Sequence, residues 1–435
     1  MSIARKLSLV AILIAVIGSI WYLEGIKAYP GAGGAGGKEI DVTALLGNST
    51  TSIAAGEANS SAPGSGTPLA EASSALQGGS GEAAGGRDTS SLSSLSPGET
   101  AALRALSVSD QAAGDQPAIE IADPTGFINV SSSFRLANEI GHRVVLLDFW
   151  TYSCINCVRT IPFLNAWYQK YAPYGLVIVG IHTPEFAFEK NINNVRNAVA
   201  EYGIHYPVIL DSNYGTWNAY NNLYWPHEYL IDMAGYIVHN QIGEGGYTST
   251  ETEIQTLLRQ RAEILGLDPN AIPTSTVGIT PQNLSGIESP ETYFGAARNS
   301  SLANGNYFTN GTQTLTAPAD TSAITTNYLY LGGTWNFADQ YATNLTAGAT
   351  VTFQYAAGKV YMVAAGAPGG TVVEVMQDGA PISAADAGSD VHDGKVTITG
   401  DGLYNLVNNA SGSGTHTLEL IIESPGLQAY TFTFG

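Results

Sequence analysis

Two cysteines, Cys154 and Cys157, stand three residues apart, and the chain of 435 residues contains no others. That pair constrains fold and chemistry more than any other feature. Val144–Val145–Leu146–Leu147–Asp148–Phe149–Trp150 precedes it and reads as a strand buried on both faces. From Ile155 to Tyr171 the apolar positions Ile161, Leu164, Trp167, Tyr168 and Tyr171 form a helical stripe, with Pro162 expected to kink it. Positions i and i+3 of a helix share a face, so the two thiols can close a small disulfide. A helix N-terminus offers unpaired N–H groups and a positive dipole end, which favour a thiolate. Cys154 is therefore the expected nucleophile and Cys157, one turn deeper, the expected resolving thiol. A purely structural disulfide is the competing reading, but so short a loop gains little from chain entropy. Half of a zinc site is the other, and no second cysteine pair or nearby histidine pair completes a metal shell.

Asp148–Phe149–Trp150, Cys154–Ile155–Asn156–Cys157 and Pro162 together resemble the active-site segment of the thioredoxin superfamily. The longer string from Phe149 to Cys157, followed by His182–Thr183–Pro184–Glu185, Trp225–Pro226 and Glu228–Tyr229–Leu230–Ile231–Asp232, resembles the extracytoplasmic thioredoxin-like domain of DipZ-type thiol–disulfide interchange proteins, within the TlpA/ResA group. The likeness covers roughly residues 117–267 and, more weakly, the C-terminal part. Ser153 stands where thioredoxin has a second tryptophan, and Ile155–Asn156 replaces Gly–Pro. The resemblance implies an α/β thioredoxin-like fold, a central mixed sheet with helices on both faces, and disulfide exchange with no cofactor or metal.

Five further positions take expected roles. Asp148 sits in an otherwise apolar strand, where an unpaired carboxylate is costly; its pKa should rise and it becomes a candidate acceptor for the Cys157 proton, the role of the matching acid in thioredoxins. Pro226 stands where the resembled proteins carry a cis-proline facing the dithiol, and an ordinary trans proline opening a strand is the alternative. Glu185 ends a parallel strand, where reactive groups of such sheets gather, and is expected to tune the thiols. Trp150 and Trp225 are the expected substrate-docking aromatics, whereas His182 and His227 read as packing residues.

The chain as a whole falls into five parts. Arg5–Lys6 precede the apolar run Leu7–Leu23, about 26 Å long as a helix, so residues 1–29 read as a membrane anchor with the remainder exported. A cleaved signal peptide ending near Ala28 is the alternative. Residues 30–116 collapse to Gly, Ala, Ser and Thr and read as a flexible tether, with one transient helix over Leu92–Leu106. The thioredoxin-like domain should occupy 117–267, closing with a helix over Thr250–Ile264 capped by Ser249 or Thr250, and a Pro/Ser/Thr-rich linker 268–289. Residues 290–435 alternate with period two, with turns at Ala357–Gly358, Asp378–Gly379 and Asp401–Gly402, and predict an all-β sandwich of jelly-roll kind. This module is similar to the C-terminal module of DipZ-type proteins and to carbohydrate-binding sandwiches, with Trp335 and Tyr341 as candidate sugar-stacking residues.

A formal net charge of −20, with only 12% of residues charged, argues against nucleic acid and anionic lipid surfaces as partners. The leading expectation is a membrane-anchored, extracytoplasmic thiol–disulfide oxidoreductase acting on protein disulfides, in the reducing direction. The resemblance adds a membrane electron donor of CcdA/DsbD kind acting in trans. Two alternatives remain. Thr151-x-x-Cys154 has the spacing of a thiol peroxidase, although Leu147 occupies the position of its proline. A surface glycan-binding protein with a docking thioredoxin domain is the other.

Overall fold

The computed structural model describes residues 37–40, 95–320 and 324–435. The expected anchor at 1–29 and most of the expected tether lie outside the described residues. Among these, no helix is long and apolar enough to cross a membrane.

The first domain is a mixed sheet of seven strands: β1 (Gln116–Pro117), β2 (Gly126–Ile128), β3 (Val144–Trp150), β4 (Leu176–His182), β5 (Val208–Leu210), β6 (His227–Ile231) and β7 (Tyr236–Ile242), in the order β1-β7-β6-β3-β4-β5-β2. The pairs β3–β4 and β4–β5 are parallel, and the remaining pairs antiparallel. β3 is central and every residue of it is buried. Successive side chains leave a strand on opposite faces. Val144, Leu146 and Trp150 accordingly join the core under helices α2 (Ile155–Tyr171), α3 (Ile192–Glu201) and α5 (Tyr247–Ile264). Val145, Leu147 and Phe149 join the opposite core, with α1 (Pro97–Ala113) and α4 (Gly215–Ala219). Parity puts Asp148 on the α2 side. Close approach shows at Gly180, where a Cβ would lie 2.7 Å from the Trp150 indole nitrogen.

Three expectations need correction. The tether does not run to residue 116. Ser96 and Glu99 form a reciprocal capping box that starts α1, and Leu103 is fully buried. Ser107 and Gln111 hydrogen-bond to the Tyr236 hydroxyl at 3.2 and 2.7 Å, while Ile40 donates to the Ala118 carbonyl. These contacts make α1 part of the domain. Second, α5 begins at Tyr247 with Gly246 as its cap at φ 61°, and Ser249 donates back to the Gly246 carbonyl instead of capping. Tyr247 stacks on Phe163 with centroids 3.6 Å apart, which draws the helix start forward. Third, the expected linker 268–289 is a docked strap. Ile272 is buried, and Glu251 accepts from the Val277 amide at 3.0 Å and from Tyr171 at 2.7 Å. Helix α2 runs on through Pro162.

The C-terminal module is a nearly closed antiparallel sheet. Strand Leu329–Phe337 belongs to both of its halves: residues 329–332 pair with Ala349–Ala357, and residues 333–337 with Gly311–Leu315. The handover falls at Gly333, whose φ of 93° an L side chain resists. Of the three expected turns, only Asp378–Gly379 joins strands that pair with each other. Ala357–Gly358 and Asp401–Gly402 carry the chain between the halves.

Candidate active site

The apolar strand β3 ends at Trp150, a short turn follows, and Cys154 is the N-cap of α2. Both cysteines are free thiols; Cys154 is half-buried and Cys157 buried. The Cys154 Sγ donates to the Trp225 carbonyl at 3.9 Å. The Trp225–Pro226 peptide bond is cis and lies directly across from the dithiol, as expected from the motif. Burial pushes the Cys157 thiol well up, helped by its hydrogen bond with Cys154 and by the nearby Asp148 carboxylate.

Asp148 is 1% exposed, and burial alone raises its pKa to about 7. Its Oδ1 has no hydrogen-bond partner among the described residues. Directly across the β3–β6 pair stands Glu228, also buried, with its Oε2 unpartnered. Burial and then the Asp148 charge raise the Glu228 pKa well above the ordinary range. Two carboxyl groups therefore share the sheet face beneath Cys157, where only one was expected. The sequence signal for Glu228 was present: a lone acid in the apolar run His227–Ile231, on the strand after the proline.

Glu185 lines the same cleft as Cys154. It pairs with Arg298 of the C-terminal module at 2.6 Å and accepts from the Tyr293 hydroxyl at 3.0 Å. The acid that braces the cysteine loop is Glu189, fully buried one turn on. It accepts from Ser153 Oγ at 2.5 Å and from the amides of Glu185 and Phe186 at 2.5 and 2.8 Å. Burial dominates its pKa and lifts it to about 7. Nothing local in the stretch Phe186–Lys190 marks Glu189 as buried, since its partner Ser153 lies 36 residues away.

Trp150 cannot dock a substrate, because it is fully buried against His182. Trp225 lines the open cleft, and its indole donates to the Thr183 carbonyl at 3.0 Å. His182 and His227 are buried packing residues as expected, and burial lowers their pKa values to about 3 and about 4. In the C-terminal module Trp335 is fully buried in the core, which removes it as a sugar-stacking surface. Tyr341 packs on Tyr430 with centroids 5.1 Å apart.

The C-terminal module reaches over the dithiol. Besides the Glu185–Arg298 pair, Ala187 donates to Gln340 at 2.9 Å, and Phe186 is buried against Val363, Ala365 and Tyr430. Between the two domains lies a cleft of about 780 Å³, with Cys154 on one wall and Tyr293, Arg298 and Phe434 on the other. That size falls within the range of small-ligand sites.

Comparison with known proteins agrees with this division. Residues 126–258 match the Redoxin family, and residues 289–435 match the family described as thioredoxin like C-terminal domain. Protein DipZ of Mycobacterium tuberculosis is 38% identical over 312 residues, covering 72% of this chain and 42% of DipZ. The chain thus spans well under half the length of that relative. Thiol-disulfide oxidoreductase YkuV of Bacillus subtilis is 29% identical over 145 residues, 33% of this chain and 96% of YkuV. Thiol-disulfide oxidoreductase ResA of Bacillus thuringiensis is 32% identical over 106 residues, 24% of this chain and 58% of ResA.

Proposed function

From a chain that carries a Redoxin domain followed by a thioredoxin-like C-terminal domain, and is homologous to DipZ, ResA and YkuV, we propose a thiol–disulfide oxidoreductase that reduces protein disulfides outside the cytoplasm. One observation carries the reading: Cys154 is reachable at a helix N-terminus, with Cys157 buried behind it over an unpartnered carboxyl group.

The electron flow balances as follows. The Cys154 thiolate attacks one sulfur of the client disulfide, forming a mixed disulfide and releasing the other sulfur as a thiolate that takes up a proton. Cys157 gives its proton to the Asp148 carboxylate and attacks the Cys154 sulfur. The second client sulfur leaves as a thiolate, is protonated, and the enzyme retains the Cys154–Cys157 disulfide. Two electrons and two protons pass to the client. Burial of Cys157 keeps it from competing clients and leaves Cys154 as its nearest target.

The reducing direction rests on the likeness to the TlpA/ResA group. Anchoring and export rest on Arg5–Lys6 and the apolar run Leu7–Leu23, and a membrane donor of CcdA/DsbD kind would return the electrons in trans. Titrating the dithiol in glutathione buffers tests the direction: a potential near roughly −270 mV supports a reductase, and one near roughly −120 mV makes the protein an oxidant. Faster turnover of hydrogen peroxide than of insulin disulfides would replace this reading with a peroxidase.

A further inference from the structure

The reachable thiol does not open onto a free surface. Cys154 lines a cleft of about 780 Å³ whose far wall belongs to the C-terminal module. Leu284 and Ile287 of the strap line the same cleft. That wall is tied down beside the cleft by the Arg298–Glu185 pair, by the Ala187–Gln340 hydrogen bond and by the burial of Phe186 against Tyr430. Arg159 of α2 reaches the same module, donating to the Phe434 carbonyl at 3.4 Å.

This geometry limits what can reach the sulfur. A folded partner typically covers about 800 Å² of each surface in a stable complex, which requires two faces brought flush. Here the second module stands where the body of a compact client would have to lie. An extended segment, one chain thick, fits between the walls.

The charges limit it further. The cleft is lined by two arginines, Arg159 and Arg298, against four acids, Glu185, Glu244, Glu291 and Asp339. Both arginines are already engaged: Arg159 with Glu244 at 2.5 Å, and Arg298 with Glu185 at 2.6 Å over the Tyr293 ring. A walled cleft of one prevailing sign concentrates field and repels ligands of that sign. Its apolar contacts, Ile155, Trp225, Leu284, Ile287 and Phe434, suit uncharged side chains.

We propose that the interdomain cleft is the client-binding site, and that it selects a disulfide carried on an extended, neutral or basic peptide segment over folded protein surfaces and anionic low-mass disulfides. The inference rests on the oxidoreductase reading and names its substrate class. The chemistry is the balanced exchange given above, with the peptide segment supplying both client sulfurs.

The test uses the full chain in its reduced form with three probes: a short unstructured lysine-containing peptide dimer joined by one disulfide, native ribonuclease A, and glutathione disulfide. The expected order of kcat/KM places the peptide dimer first, by roughly tenfold or more over glutathione disulfide at low salt, with that gap narrowing as salt is raised. Ala297 is exposed on the cleft wall of the C-terminal module, so Ala297→Trp narrows the cleft without disturbing the core. It should raise KM for the peptide dimer roughly tenfold while leaving kcat nearly in place, the pattern of lost binding. Equal rates on all three probes, or an Ala297→Trp protein with unchanged KM, would overturn the inference and leave the oxidoreductase standing. A wild-type protein that reduces none of the three would overturn the oxidoreductase reading itself.

Discussion

Two sets of buried carboxyl groups lie within one domain and are treated in opposite ways. Glu189 and Asp211, in the loops after β4 and β5, are surrounded by donors. Glu189 accepts from Ser153, Glu185 and Phe186, and Asp211 from Thr183, Thr216 and Trp217. Asp148 and Glu228, paired across the centre of the sheet, each keep an oxygen without a partner among the described residues. Burial raises all four pKa values, so desolvation does not distinguish the sets. Hydrogen bonding does. An acid whose lone pairs are filled by backbone amides and hydroxyls fixes a loop, because removing it strands those donors. An acid with an open oxygen under a thiol is free to take a proton. Glu189 holds the cysteine loop through Ser153, and the Asp148 charge acts on Cys157.

The largest expected effect that sharpens this contrast is on stability at alkaline pH. Asp148 titrates near 7 when folded and near 3.8 when unfolded, so the folded state holds its proton longer. Stability is therefore fully present below about pH 4 and falls as pH rises through about 7. Asp148→Asn removes that loss. Urea unfolding should find it more stable than wild type by roughly 4 kcal/mol at pH 8 and indistinguishable at pH 3. A variant less stable at both would put Asp148 with the bracing set.

Glu189→Ala should move the other way. It leaves the Ser153 hydroxyl and two amides without their acceptor, and a loss of about 3 kcal/mol in the same unfolding measurement is expected. An unchanged midpoint would deny Glu189 its bracing role.

Next in size is the resolving step. With Asn at 148 the Cys157 proton has no carboxylate to receive it, and single-turnover release of the client from the mixed disulfide should slow by about 10²-fold. In the wild type that rate should rise with pH through about 7, as Asp148 ionises, and flatten in Asp148→Asn. A rise of equal size in both proteins would assign the proton elsewhere.

Smallest is the change in Glu228→Gln. Burial and then the Asp148 charge raise the Glu228 pKa, whereas burial alone raises that of Asp148. The pH midpoint of the resolving step should therefore stay within about half a unit of wild type. A larger shift would mean that the two acids titrate as a pair.

Much of this was legible in the chain because burial and periodicity leave marks in it. The run Val144–Trp150 announced a strand buried on both faces, and the interruption at Asp148 announced a buried carboxyl group beneath the dithiol. The spacing of Cys154 and Cys157, and the pair Trp225–Pro226, placed the two sides of the dithiol pocket. What escaped notice depends on contacts distant in sequence. Helix α1 has only Leu103 and Leu106 to anchor it, and its value lies in packing beside Tyr236, 129 residues away from Ser107. The capping box Ser96-Pro97-Gly98-Glu99 was its local sign. Glu185 matched an expected position at a strand end, yet its partner Arg298 is 113 residues on, in another domain. Aromatic character at Trp150 and Trp335 gave no sign of exposure, and both are buried.

The account depends on Cys154 attacking a client and Cys157 releasing it. Incubating Cys157→Ser and Cys154→Ser proteins with the same peptide disulfide, and reading intact masses, tests that assignment directly. The Cys157→Ser protein should accumulate a stable adduct of one peptide chain on Cys154, and the Cys154→Ser protein should remain unmodified over the same time. An adduct that forms on Cys157 as readily as on Cys154, or on neither, would contradict it.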